Sequence, residues 1–188
     1  MQSIAKAGQA EQTINKSRFV ARAEYCANER EVALFLTKLA TAHPHAHHLA
    51  FAYQIKNAKG ITQRMHDAGE PSGTAGRPIL QPLEGQKLVN VCVGVIRYYG
   101  GINLGTGGLA RAYGGTAKMA IDAAQLLPFV EMSEISLVLD YAKLDSFTHA
   151  LEKVNGKIVD KQFAERVSLI ATLPSHEAAN FQKRFSDV

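Results

Sequence analysis

The residues best equipped for chemistry lie in the glycine-dense middle of the chain, roughly Met65 to Tyr113. Thirteen of the fifteen glycines fall between Gly60 and Gly115. Glycine costs conformational entropy unless the backbone needs positive φ or close approach. The stretch is therefore either tight turns packed against a sheet or a backbone surface that meets a ligand. The second reading is favoured, because loops held on a rigid scaffold commonly carry function. The most informative run is Arg97 to Gly108, placed between an apolar strand and a long helix. Free N–H groups and the dipole at a helix start suit an anion. Gly105, Thr106, Gly107 and Gly108 would offer those amides. Arg97 would add a two-pronged contact to phosphate or carboxylate. Arg111, Lys118, Lys16 and Arg18 would add further charge. Tyr98 and its neighbour Tyr99 must point to opposite sides of an extended chain, one into the core and the other outward.

A second group has acid–base potential. His48, Asp67 and Glu70, with His66 and the hydroxyl of Thr74, are the candidates for proton transfer. The plainer alternative is that Asp67 caps a turn and Glu70 meets an arginine. Ser72 and Thr74 sit near glycine, yet no Gly-x-Ser-x-Gly nucleophile elbow occurs. Gly105-x-Gly107-x-x-Ala110 matches a dinucleotide fingerprint only loosely, since Asp122 falls within the same helix and no acidic strand end follows. No phosphate loop of the Gly-Lys-Ser/Thr type is present. His43, His45, His47 and His48 invite a metal reading, with the first three facing one way if the segment is extended. No cysteine joins them and Pro44 interrupts them, so packing at a strand edge is preferred and no metal or cofactor is expected.

These residues need elements to hold them. Ser17 to Ala23 alternates as a strand. Asn28 reads as a helix N-cap, followed by Glu29 and Glu31, with Val32, Phe35, Leu36 and Leu39 at helical spacing. His43-Pro44 ends that helix. Leu49 to Ile55 is a strand with Leu49, Phe51, Tyr53 and Ile55 on one side. A loop runs from His66 to Gly73, and a short helix is possible from Ile79 to Leu83 between Pro78 and Pro82. Val89 to Ile96 is a strand buried on both faces. A long helix follows from Leu109 to about Leu126, with Leu109, Ala112, Tyr113, Ala117, Ala120 and Ala124 inward. Leu127-Pro128 marks a boundary between domains 1–128 and 129–188. The second domain reads strand, helix, strand, strand, helix, a ferredoxin-like order. Its fourth strand is missing from the pattern, leaving a sheet edge that a partner could cover.

The composition suits a globular α+β chain of two small domains: 188 residues, 46% hydrophobic and 20% charged. Two cysteines, Cys26 and Cys92, form no disulfide framework and suggest a reducing compartment. No apolar run approaches the length of a membrane span or forms a leader, so a cytoplasmic protein is expected. Residues 1–128 carry fourteen Lys/Arg against eight Asp/Glu, a balance of +6. Residues 129–188 carry seven against nine, a balance of −2. The first part could meet an anionic partner, although it lacks the dense basic run of a strong nucleic-acid binder.

Taken together, Asp67 to Pro78, Val95 to Gly101, Leu104 to Leu109 and Arg111 to Gly115 resemble the IMPACT family, in its bacterial YigZ-like branch. Lys16 to Phe19 and His43 to His48 also fit. The resemblance covers essentially the whole chain. It implies a first domain of ribosomal-protein type, with a β-α-β plan related to one in elongation factor G, and a small ferredoxin-like second domain. Eukaryotic relatives act in translational control through protein contacts. The expectation is a translation-associated regulatory factor that binds RNA, the ribosome or a translation protein through its glycine-rich surface. A hydrolase acting on a phosphorylated or nucleotide-like small molecule is one alternative. A protein-interaction adaptor without nucleic-acid binding is the other. Oligomeric state is not legible.

Overall fold

The structure, a computed structural model, describes residues 1–186. The chain is α+β and divides into two compact units, Met1–Phe129 and the residues from Val130 on. The first contains β1 (Gln2–Lys6), β2 (Gly8–Ile14), β3 (Ser17–Tyr25), α1 (Glu29–Ala42), β4 (His48–Asn57), β5 (Gly60–His66), α2 (Gly76–Gly85), β6 (Val91–Tyr98), α3 (Gly105–Asp122) and β7 (Gln125–Pro128). Five strands form an antiparallel sheet in the order β2-β3-β6-β4-β5, while β1 pairs with β7.

The sheet is covered on both faces. Phe19, Ala21 and Ala23 of β3, Ala50 and Ala52 of β4, and Val91, Val93 and Val95 of β6 pack beneath α2 and α3. The alternate residues Val20, Tyr53, Ile55, Cys92 and Ile96 pack beneath α1. That two-sided burial explains why β6 is apolar throughout rather than alternating. Asn28 caps α1 by accepting from the Glu31 amide at 3.0 Å. Asn15 and Lys16 both have positive φ, 45° and 63°, and close the two-residue β2–β3 hairpin. Such left-handed turns match the twist of paired strands.

Several elements depart from expectation. β1 and β5 expose most of their residues and β2 turns only Gly8 fully inward, with Ala10 and Ile14 half-buried, so their sequences carry little apolar alternation. α2 is twice the expected length and continues through Pro82. An interior proline costs about 3 kcal/mol, but Ile79, Leu80 and Leu83 are fully buried and hold the helix. α3 begins four residues before Leu109 and ends at Asp122, and Leu126 belongs to β7. The 43–47 segment is a turn, with the Ala46 amide bonded to the His43 carbonyl, so its histidines do not share one extended face.

The second unit contains β8 (Met132–Leu139), α4 (Tyr141–Lys153), β9 (Lys157–Phe163), β10 (Val167–Pro174) and α5 (Ser175–Phe185). Its antiparallel sheet has the order β8-β10-β9. β8 and β9, joined by α4, flank β10, which is the split β-α-β plan of ferredoxin-like folds. Ile135, Leu137, Leu139, Leu169, Ala171 and Leu173 alternate inward against Phe147, Leu151, Phe181 and Phe185. Among the described residues no helix is long and apolar enough to cross a membrane.

Candidate functional site

At one end of the five-stranded sheet, strand register places Phe19, Arg97 and His48 side by side, since Arg97 lies opposite both of the others. Arg97 is 5% exposed. One terminal nitrogen donates to both oxygens of Glu70, at 2.7 and 3.0 Å. The other reaches Ser17 Oγ at 3.3 Å. The guanidinium also lies over the rings of Phe19 and Tyr99, at 5.7 and 5.2 Å. Tyr113, buried in α3, donates its hydroxyl to Glu70 Oε1 at 2.6 Å. Burial first, then this bond and the charge of Glu70, push the Tyr113 phenol upward, so it remains the donor. A buried ion pair survives only when hydrogen bonds replace lost hydration. Here they are nearly complete; Arg97 Nε alone has no partner.

His48 stands beside this network. Its Nδ1 lies 2.8 Å from the Ala68 carbonyl oxygen. Its Nε2 faces Glu70 Oε1 at 3.7 Å, outside hydrogen-bond range. Asp67, three residues before Glu70, does something different. Its carboxylate accepts from the amides of Gly73, Ala75 and Gly76, at 2.9, 3.1 and 2.7 Å. It thereby caps α2, whose own N-cap residue Ala75 offers no side chain for the purpose. Burial opposes ionisation of Asp67, but the amide bonds from Gly73, Gly76 and Ala75 outweigh it and hold the carboxyl below its ordinary value. Thr74 donates its hydroxyl to the Pro71 carbonyl at 2.6 Å and is 5% exposed.

A cleft of about 470 Å³ opens beside the network. His47, His48, Glu70, Arg97, Tyr99 and Thr106 contribute to its lining. Tyr99 is half-exposed and held by a bond from its hydroxyl to Asn103 Oδ1 at 3.1 Å. Gly105, Thr106 and Gly107 form the exposed first turn of α3, and Leu104 supplies no side-chain cap. Gly105 has φ of +71°, which only glycine adopts without strain. The Arg111 guanidinium lies alongside that turn, 3.5 Å from where a Cβ on Gly107 would sit. A second cleft of about 430 Å³ lies between α1 and β2–β3, but its Arg22 and Glu24 are paired to each other at 2.8 Å.

The expected residues thus separate. Arg97 reaches the cleft wall, but Glu70 neutralises its charge, so it is not a free anion ligand. Tyr98 lies on the α1 face, bonded to His43 at 2.7 Å and beneath Arg18 at 5.4 Å. Arg18 itself grips Glu11 with two bonds, 2.8 and 2.9 Å. Lys118 pairs with Asp122 at 2.6 Å, far along the helix. Lys16 sits in the β2–β3 turn, where its carbonyl oxygen would lie 2.0 Å from a Cβ on Gly100. Gly100 is therefore required by packing rather than by a ligand. Glu70 and His48 converge at the cleft, whereas Asp67 and Thr74 are committed to backbone. Cys26 and Cys92 are both buried, and burial pushes the Cys26 thiol up to about 12. His47, Ser17 and Tyr113 join the site without having been singled out for it. A buried tyrosine hydroxyl needs a partner, and for Tyr113 that was the available signal.

Two family models match the chain. That for the Impact N-terminal domain covers residues 15–121, and that for a domain of unknown function, DUF1949, covers residues 137–188. The chain belongs to the IMPACT family. The IMPACT family member YigZ of Escherichia coli (strain K12) is 33% identical over 93% of this chain and 86% of its own. An IMPACT family member of Thermus thermophilus is 41% identical over 86% of each chain. A crystal structure of a hypothetical protein, 30% identical, covers 97% of this chain and 89% of its own, with a TM-score of 0.75. That likeness extends the α+β two-unit architecture to a solved relative.

Proposed function

We propose that this IMPACT family chain is a translation-associated factor that binds RNA at the cleft of its first unit. The observation that carries the reading is the open first turn of α3, where Gly105, Thr106 and Gly107 are exposed beside the half-exposed ring of Tyr99. Amides at a helix start receive a phosphate. An aromatic face receives a base without demanding a sequence. Arg111 adds charge at the same turn, and the first part of the chain is basic overall. Arg97 acts differently from the initial expectation. Stacked on Tyr99 and fixed by Glu70, it makes the aromatic wall rigid.

The test is fluorescence anisotropy with labelled single-stranded RNA over a salt series. Binding at low salt that weakens linearly on a log–log plot is expected. Arg111→Ala and Tyr99→Ala should each weaken it about tenfold, in keeping with roughly 1–3 kcal/mol per stacked base. An absence of binding at low salt overturns the proposal. Binding that ignores both substitutions moves the surface elsewhere.

A further inference from the structure

The two imidazoles lining the cleft are fixed in opposite tautomers. His47 Nδ1 accepts the backbone N–H of Tyr99 at 3.1 Å. A nitrogen that accepts carries no proton, so in neutral His47 the hydrogen sits on Nε2. His48 Nδ1 lies 2.8 Å from the Ala68 carbonyl oxygen, which can only accept. In neutral His48 the hydrogen therefore sits on Nδ1, and Nε2 holds a bare lone pair. One cleft thus holds an imidazole that presents an N–H donor and another that presents a bare acceptor nitrogen. When His48 takes a proton at Nε2, that proton arrives 3.7 Å from Glu70 Oε1. The carboxylate is anchored by Arg97 and Tyr113 and stabilises the imidazolium that forms.

We propose that this pair cleaves the RNA the cleft binds, an activity that rests on the RNA reading above. His48 Nε2 removes the proton from a ribose 2′-hydroxyl. The 2′-oxygen bonds to the adjacent phosphorus, and the bond from phosphorus to the next nucleotide's 5′-oxygen breaks. His47 Nε2–H hydrogen-bonds that leaving oxygen, which takes its proton from water. The products are a 2′,3′-cyclic phosphate and a free 5′-hydroxyl. His48 takes one proton and water gives one to the leaving oxygen, so the balance closes without an external nucleophile, and His48 then returns its proton to water. The first-turn amides of α3 and Arg111 face the charge that builds on the phosphoryl oxygens. A positioned general base of this kind contributes about 10²–10⁴-fold.

The experiment incubates the full chain with a 5′-labelled single-stranded RNA and resolves the products on a denaturing gel, with anisotropy run in parallel. Fragments ending in 2′,3′-cyclic phosphate are expected from RNA and none from the all-2′-deoxy strand. His47→Asn and His48→Asn each keep a polar atom near the Nδ1 position and so preserve the backbone contact. Each should slow cleavage by about 100-fold or more at saturating RNA, where weaker binding does not account for the loss. Two results overturn the activity but leave the RNA reading standing: RNA bound and uncut, or cleavage unchanged in both variants. Failure to bind RNA at all overturns both.

Discussion

The two units solve the problem of a folded core in different ways. In the second, the buried residues are apolar, although the Thr172 hydroxyl is buried without a partner: β8 and β10 turn Ile135, Leu137, Leu139, Leu169, Ala171 and Leu173 toward two helices, and Phe147 packs edge-on to Phe181 and Phe185 at 5.9 and 5.1 Å. In the first, the described buried polar and charged residues include Ser17, Glu70, Arg97 and Thr116, and none lies in the second unit. Burying an arginine and a glutamate beside two aromatic rings is a poor way to gain stability. Its presence at the wall of a cleft marks a place where rigidity and charge placement matter more than packing. The difference teaches where to look for function: the second unit is a dry core, the first a core opened around a wired site.

Shape-preserving substitutions break this comparison most directly. Glu70→Gln keeps the volume but leaves Arg97 buried without its counter-charge, and should cost about 3–5 kcal/mol in urea unfolding followed by circular dichroism. Combining Glu70→Leu with Arg97→Met should recover most of that loss, because both charges leave together. In the second unit, Leu151→Met also preserves volume, and should cost less than about 1.5 kcal/mol. A loss from Glu70→Gln no larger than that from Leu151→Met would mean the ion pair is solvated and the contrast is false.

Next in size is the cap on α2. Asp67→Asn retains one acceptor where the carboxylate served three amides, and removes the negative charge at a helix start. A loss of about 1 kcal/mol at neutral pH is expected in thermal unfolding. The pH dependence follows from the depressed carboxyl. Protonation is harder in the folded chain than in the unfolded one, so the stabilisation is complete above the ordinary aspartate value of about 3.9. It fades as pH falls through the lower folded value. The wild-type and Asp67→Asn proteins should therefore converge in stability below that range. A gap that persists in acid would show that the amides, rather than the charge, carry the effect.

How legible this was depended on how local the determining forces are. The second unit followed largely from periodicity, because β8 and β10 alternate between core and solvent, whereas β9 exposes nearly every residue. β6 and α1 were equally plain, through a continuous apolar run and the Asn28 cap. β1, β2 and β5 were silent because each offers few apolar residues, such as Ile4 in β1 and Ile14 in β2, and strand pairing does the rest. Of the residues lining the candidate cleft, Arg97, Thr106 and His48 were singled out in the sequence. Its wiring was not readable there. Glu70 meets Arg97 across 27 residues and Tyr113 across 43, and Arg97 meets Ser17 across 80. A spacing rule sees charges near one another in sequence and cannot tell that Asp67 turns to backbone while Glu70 turns to a guanidinium. The anion surface shrank for the same reason: Arg97 and Arg18 each have a carboxylate partner that the sequence does not announce, while Lys118 pairs with Asp122 one turn on.

The smallest effect is the sharpest test of where the binding surface ends. Lys118 and Asp122 form an exposed i,i+4 pair, so Lys118→Ala should change stability by no more than about 0.5 kcal/mol. Lys118 stands thirteen residues beyond Gly105, about 20 Å along the helix axis, whereas Arg111 stands about 9 Å away. A phosphate held at the first turn feels Arg111 directly and Lys118 only through solvent, across roughly two screening lengths at physiological salt. RNA affinity should accordingly fall for Arg111→Ala and stay within about twofold for Lys118→Ala. Equal losses from the two variants would place the nucleic acid along the outer face of α3, away from the cleft. The polar network would then be a device for holding the sheet end together, and the contrast between the units would concern folding alone.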